Sequence, residues 1–249
     1  MVITSVDNAR VKDVVRLRKA RERRREGVFV AEGVREVGRA LAAGLGLRSL
    51  YLAPELLPEW EQSHPAPRAE HVSARVLAKM AYRAEPEGVL AVFEIPRRAL
   101  PADATLVLVA VDIEKPGNLG AMARTADAAG ADALLVAGRD PDPWNPNAIR
   151  ASTGAVFTLP VVETTLDELR ALPLRTVAGV VGAPTAYTEV DLTLPTAVVV
   201  GAEDSGLDPA WCDAVDMQVA IPMRPRTADS LNAATSAAIL LFEAVRQRG

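Results

Sequence analysis

Two stretches of this chain lack any polar alternation: LVLVAV at 106–111 and TAVVVG at 196–201. A strand with one wetted face alternates apolar and polar side chains, whereas a strand that is apolar throughout must be covered on both faces. That is the situation of a parallel sheet held between two layers of helix. Around these runs, strand-like and helix-like patterning take turns at 105–112, 119–129, 133–137, 145–153, 156–161, 166–172, 176–181, 196–201, 209–215 and 230–248. An α/β fold with a mostly parallel sheet is therefore expected in the C-terminal part. Ligands of such sheets bind outside the carboxyl ends of strands, which points to the loops after Val111 and Val200.

Upstream, apolar residues Val11, Val14, Val15 and Leu17 predict one basic helix over 8–26, with Gly27 as its stop. A strand at 28–31, a helix at 34–43, a strand at 49–53, a short acidic helix near 55–61 and a strand at 88–95 complete a small α/β module. The segment PRRALPAD at 96–103 carries two prolines and no apolar period, so it reads as a linker. Two domains are expected, 1–98 and 99–249.

Composition narrows the chemistry. A single cysteine, Cys212, excludes an intramolecular disulfide and supplies too little sulfur for a thiolate zinc cage. The imidazoles, His64 and His71, both lie in the N-terminal part, so a metal-free protein is expected. No apolar run approaches the ~20 residues of a membrane span, and charge appears before any apolar signal core could form. These features predict a reduced, cytoplasmic protein without a membrane partner. The net charge of −4 conceals an asymmetry: 1–98 hold 18 Lys plus Arg against 13 Asp plus Glu, and 99–249 hold 10 against 19. The dense part of the basic excess is Arg16, Arg18, Lys19, Arg21, Arg23, Arg24 and Arg25. That density suits a nucleic-acid backbone, where neutralised phosphates release counterions; an ordinary solvated helix face is the alternative.

Three segments carry candidate chemistry. The first, DIEKPGNLGAMARTADAAGAD at 112–132, follows a buried strand and opens into a helix. Its glycines allow a tight turn, and the helix start offers unpaired amides to an anion. The spacing fits neither the dinucleotide fingerprint nor a P-loop. Asn118 and Arg124 can converge only if Asn118 belongs to the turn and Arg124 to the helix. An ion pair of Arg124 with Asp127 or Asp132 is the plainer reading. The second segment, GAEDSGLDPAW at 201–211, places Gly201, Glu203 and Gly206 in a GxExxG pattern that lets backbone approach a ligand closely, while Asp208 before Pro209 reads as a helix cap. In the third, IPMRPRTADSLNAATSAAILLFEAV at 221–245, Asp229 or Ser230 reads as the cap of the last helix.

Taken in order, NxGxxxR, GxExxGL and IPM followed by SLN resemble the SpoU, or TrmH-like, family of RNA ribose 2′-O-methyltransferases in the SPOUT superfamily, over about 105–247. FVAEGVREV at 29–37 resembles that family's L30e-like α/β substrate-binding module, which adds Arg35 to the RNA-binding candidates. The resemblance implies a deep trefoil knot, a homodimer and S-adenosyl-L-methionine as methyl donor. It implies a donor site at Gly201, Ile221, Met223, Ser230 and Leu231, extended by Val181, Gly182, Glu203 and Gly206. It implies a reaction site of Asn118, Arg124, Glu203, Ser230 and Asn232, with residues of both protomers in one site. The third motif departs from the family: Pro225 stands at the usual glycine, RPRTAD is one residue longer than usual, and Ala233 and Ala234 replace a Val-Ser pair.

The family's arginine is proposed to act as general base, yet a charged guanidinium has no acceptor. Arg124 is expected instead to hold the target phosphate and stabilise the developing alkoxide, with Asn118 orienting it and Glu203 anchoring the arginine or the loop. The two-domain layout favours structured ribosomal RNA as substrate. A tRNA ribose methyltransferase, a SPOUT enzyme acting on a base nitrogen and a noncatalytic knotted RNA-binding or ribosome-assembly factor are the alternatives. Donor binding distinguishes the last of these, and the position of the methyl group in digested RNA distinguishes base from ribose.

Overall fold

The computed structural model describes residues 2–57, 69–139, 141–224 and 226–249. The acidic helix expected near 55–61 falls largely outside the described residues, as do His64 and Pro225. The N-terminal elements are α1 (Ala9–Arg16), α2 (Ala20–Glu26), β1 (Val28–Glu32), α3 (Val34–Ala42), β2 (Leu47–Leu52), β3 (Glu70–His71), α4 (Ala74–Met80) and β4 (Val89–Glu94). Then follow β5 (Leu106–Val111), α5 (Pro116–Ala128), β6 (Ala133–Ala137), α6 (Pro146–Ala151), β7 (Val161–Glu163), α7 (Leu166–Arg170) and β8 (Arg175–Gly179). The chain ends with β9 (Thr185–Ala186), β10 (Thr196–Val200), α8 (Pro209–Ala214), β11 (Met217–Ala220) and α9 (Ala233–Arg248).

Two compact units result: Met1–Arg97 with Trp144–Thr158, and Arg98–Pro143 with Leu159–Gly249. In the first, the sheet order is β1-β4-β2-β3, with β4 antiparallel to both β1 and β2. Val11, Val14 and Leu17 of the N-terminal helical segment and Val76, Leu77 and Met80 of α4 bury one face of this sheet. Every residue of β1 is buried. Phe29 of β1 stacks on Phe93, on Trp144 at 4.9 Å and on Phe157 at 5.5 Å. These aromatic contacts explain why the segment at 145–153, expected among the C-terminal elements, packs with the first unit instead.

The helix expected over 8–26 is broken into α1 and α2 at residues 17–19. The cause lies in the basic run itself. Arg23 is 1% exposed, and its Nη1 donates to the carbonyls of Leu17 at 2.6 Å and Arg18 at 2.9 Å. A guanidinium buried among carbonyls released at a helix end supplies them with donors, and a charge so enclosed is out of reach of a phosphate in solvent. Arg23 is thereby removed from the RNA-binding candidates. Gly27, at φ 64°, ends α2 in the left-handed conformation that glycine adopts without strain.

The second unit is a seven-stranded sheet in the order β7-β6-β5-β10-β8-β11-β9, with every pairing parallel. β5 and β10 are buried at every residue, as their apolar runs require. Val198 of β10 sits in register with Leu108 on one side and Val177 on the other. The chain builds outward through β5, β6 and β7, restarts at β8, and then inserts β10 between β5 and β8. The loops after β5 and β10 thus leave neighbouring strands at one edge, a topological switch point where parallel sheets form ligand crevices. α9 packs on α5 and β10. Among the described residues, no helix is long and apolar enough to cross a membrane, and no group of three or more His, Cys, Asp or Glu could hold a metal ion.

Candidate active site

The loop after β10 is folded back on itself. Ala202 and Gly206 exchange both backbone hydrogen bonds, at 3.1 and 3.0 Å, which forces Gly206 to φ 69°. Gly201 lies beneath this closure, and a Cβ there would meet the Gly206 carbonyl and come within 2.6 Å of the Leu207 nitrogen. The two glycines of GxExxG are therefore required by the turn itself, one for a positive φ and one for close backbone approach. Glu203 is the first residue of the turn so closed, directly after Ala202.

Beside it lies a cavity of about 410 Å³, within the size range of small-molecule sites. Val181, Gly201, Glu203, Gly206, Ile221, Met223, Ser230 and Leu231 line it; Gly182 does not. Gly179, Val180, Asp204 and Ser236 also line it, outside the residues the motifs pick out, as does Asp229, which the sequence marks only as a cap candidate. Three carboxylates face this space and, among the described residues, no lysine or arginine does. Such a wall repels phosphate and suits a cationic ligand on an apolar floor. S-adenosyl-L-methionine, with a sulfonium and an ammonium against one carboxylate, fits that charge balance.

At the rim, three segments distant in sequence meet. Asn232 Nδ2 donates to Asn118 Oδ1 at 3.2 Å and, more closely, to Glu203 Oε1. Its Oδ1 accepts from the amides of Ala234 at 3.0 Å and Thr235 at 3.3 Å, so Asn232, rather than Asp229 or Ser230, caps α9. Lys115 Nζ lies 2.5 Å from Glu203 Oε2. The Lys115 ammonium, aided by the Asn118 and Asn232 amides, holds the Glu203 carboxyl below its ordinary range. With its oxygens engaged by these donors, Glu203 is an anchored anion rather than a free base.

Arg124 and Ser230 stand apart from this cluster. Ser230 lines the cavity wall. α5 begins at Pro116, so Asn118 lies inside the helix rather than in the preceding turn. Six residues separate it from Arg124, or ~240° around the axis and ~9 Å along it. Arg124 is exposed and, among the described residues, forms no ion pair with Asp127 or Asp132; Asp132 instead accepts from the amides of Thr105 and Leu106.

In the first unit, the basic residues divide by helix face. Arg21, Arg24 and Arg25 share the exposed side of α2 at i, i+3 and i+4, opposite buried Arg23. Arg25 pairs with Glu22 and Glu26, Arg16 pairs with Asp13, and Lys19 is exposed. Arg18 is committed to the carbonyls of Lys79 and Ala81 at the end of α4. Arg35 is half exposed, with its guanidinium held by buried Glu36.

A parallel sheet with its crevice at the β5/β10 switch point and a cavity lined by three carboxylates suit an enzyme that takes a cationic small-molecule donor. The SpoU rRNA methylase family model matches residues 105–242, and an MRM3-like substrate-binding domain matches 8–91. The chain is 32% identical to the 23S rRNA (guanosine(2553)-2′-O)-methyltransferase RlmP of Bacillus subtilis, over 96% of this chain and 97% of that one. A crystal structure of an RNA 2′-O ribose methyltransferase superposes with TM-score 0.86 at 44% identity, covering 100% of this chain and 99% of the other. The SpoU methyltransferase AviRb from Streptomyces viridochromogenes, solved in complex with the cofactor AdoMet, superposes with TM-score 0.87 at 32% identity over 97% and 98%. The chain belongs to the SpoU rRNA methylase family. That membership implies the deep trefoil knot.

Proposed function

We propose that this protein methylates a ribose 2′-hydroxyl of ribosomal RNA in the cytoplasm, with S-adenosyl-L-methionine as donor. The observation that carries this reading is the meeting of Asn118, Glu203 and Asn232 at the rim of the acid-lined cavity. Bound there, the donor supplies an electrophilic methyl group on a sulfonium that leaves as a neutral thioether. The protein's task is then to position the attacking hydroxyl and manage its proton. The anchored Glu203 fixes both asparagine amides, which orient the ribose. Arg124 holds the adjacent phosphate and stabilises the alkoxide, with that phosphate or water taking the proton. The test is transfer of labelled methyl from the donor to rRNA, followed by alkaline digestion. A ribose methyl group leaves an alkali-resistant dinucleotide; label on a base, or a protein that neither binds donor nor transfers label, overturns the reading.

The working form is a homodimer in which Arg124 of one copy completes the site of the other. Support comes from α5, whose geometry turns Arg124 away from its own Asn118. Mixing inactive Arg124→Ala and Asn232→Ala proteins should restore about a quarter to a half of wild-type turnover, because each mixed dimer regains one intact site. No recovery after verified subunit exchange counts against a shared site.

RNA is gripped by the exposed face of α2 together with Arg16, Lys19 and Arg35. Replacing both Arg21 and Arg24 with alanine should lower the slope of log affinity against log salt by roughly 0.7–0.9 per lost phosphate contact. Donor affinity, read by calorimetry, should not change.

A further inference from the structure

The side chain that fixes Glu203 belongs to none of the three motifs. Lys115 occupies the N-cap position of α5, and its side chain makes no cap hydrogen bond. A cation is unfavourable there, because the first amides of a helix and its dipole present positive charge; Ser, Thr, Asp and Asn are the usual occupants. The lysine is accounted for by the carboxylate 88 residues further along the chain, at 2.5 Å from its Nζ. Glu203 then has one oxygen assigned to Lys115 and the other to Asn232. The carboxylate cannot turn without releasing one of them.

We propose that Lys115 is a positioning residue for methyl transfer: its ammonium pins Glu203 Oε2, leaving Oε1 to hold Asn232 and, through it, Asn118 against the ribose. Lys115 does not line the donor cavity, and its side chain is 68% exposed, so it contributes nothing to core packing. Its role is separable from donor binding and from folding. The charged groups facing the pair are Glu114 and Asp204 besides Lys115 and Glu203 themselves. Glu203 first, then Asp204 and Glu114, push the Lys115 pKa up, so the ammonium stays charged wherever Glu203 titrates. Because Lys115 holds the Glu203 pKa down, removing it lets that pKa rise. The carboxylate then protonates at a higher pH than in the wild type.

The test uses the full-length protein, S-adenosyl-L-methionine and rRNA. Lys115→Met should lower kcat roughly 10- to 100-fold with donor affinity and melting temperature unchanged, and should move the acid limb of the kcat profile to higher pH. Lys115→Arg, which keeps the charge, should recover most of the loss. A carbon-13 titration of the Glu203 carboxylate in donor-free protein should show the same upward movement in Lys115→Met, independently of turnover. An unchanged kcat and acid limb overturn the proposal. So does a rise confined to the KM for RNA, which makes Lys115 a phosphate contact instead. The inference rests on the methyl-transfer reading. Wild-type protein without turnover defeats that reading, whereas active wild type matched by Lys115→Met defeats only the role of Lys115.

Discussion

Replacing Asn232 with alanine is expected to lower kcat roughly 100-fold or more and to cost about 1 kcal/mol of stability. The two effects have different origins in one side chain. Oδ1 caps α9 by accepting from Ala234 and Thr235, and Nδ2 ties Asn118 to Glu203. Asn232→Asp separates them. Aspartate ranks with asparagine as a cap, so the melting temperature should stay near that of the wild type. It has no N–H to give Glu203 or Asn118, and it sets a second carboxylate against the first. Transfer should therefore fall as far in Asn232→Asp as in Asn232→Ala, although only the alanine variant loses stability. Single-turnover assays with saturating donor, run beside thermal melts, read both quantities. An aspartate variant retaining more than about a tenth of wild-type turnover would mean that the Asn118–Glu203–Asn232 contact is scaffold and that ribose orientation resides elsewhere.

That double duty also explains why the site was only partly legible in the sequence. Residue by residue, a helix cap and a reaction-site role are alternatives, and the local pattern puts the cap on Asp229 or Ser230. In the structure both roles fall on Asn232, because its amide has a donor and an acceptor that serve different partners. Lys115 is illegible in the sequence for the opposite reason. A lysine beside a proline looks like ordinary surface charge, and its partner lies across the sheet edge on another loop. The strands β5 and β10 were legible because burial on both faces erases alternation. β9, with two residues, and β11, with MQVA half buried near the sheet edge, leave no such signature. The helical pattern at 145–153 was visible as a helix. Which sheet it covers depends on Phe29 stacking against Trp144 and Phe157, residues more than a hundred positions away that no local period reports.

The basic run gives the second large expectation, because its members do opposite things. Arg23→Ala should destabilise the first unit by about 3 kcal/mol, since it strips two carbonyls of their donor and leaves a void where a long side chain was buried. Arg23→Met refills part of the void without supplying a donor, so it should recover only part of the loss. Arg21→Ala, on the solvent side of the same helix, should change stability by no more than about 0.5 kcal/mol. RNA binding should sort the variants the other way. Measured well below its melting transition, Arg23→Ala should keep the wild-type salt dependence, because a guanidinium spent on Leu17 and Arg18 neutralises no phosphate. Arg21→Ala should flatten that dependence while melting like wild type. A stable Arg23→Ala protein with a reduced salt slope would place that guanidinium on RNA and undo the assignment of the break between α1 and α2 to its burial.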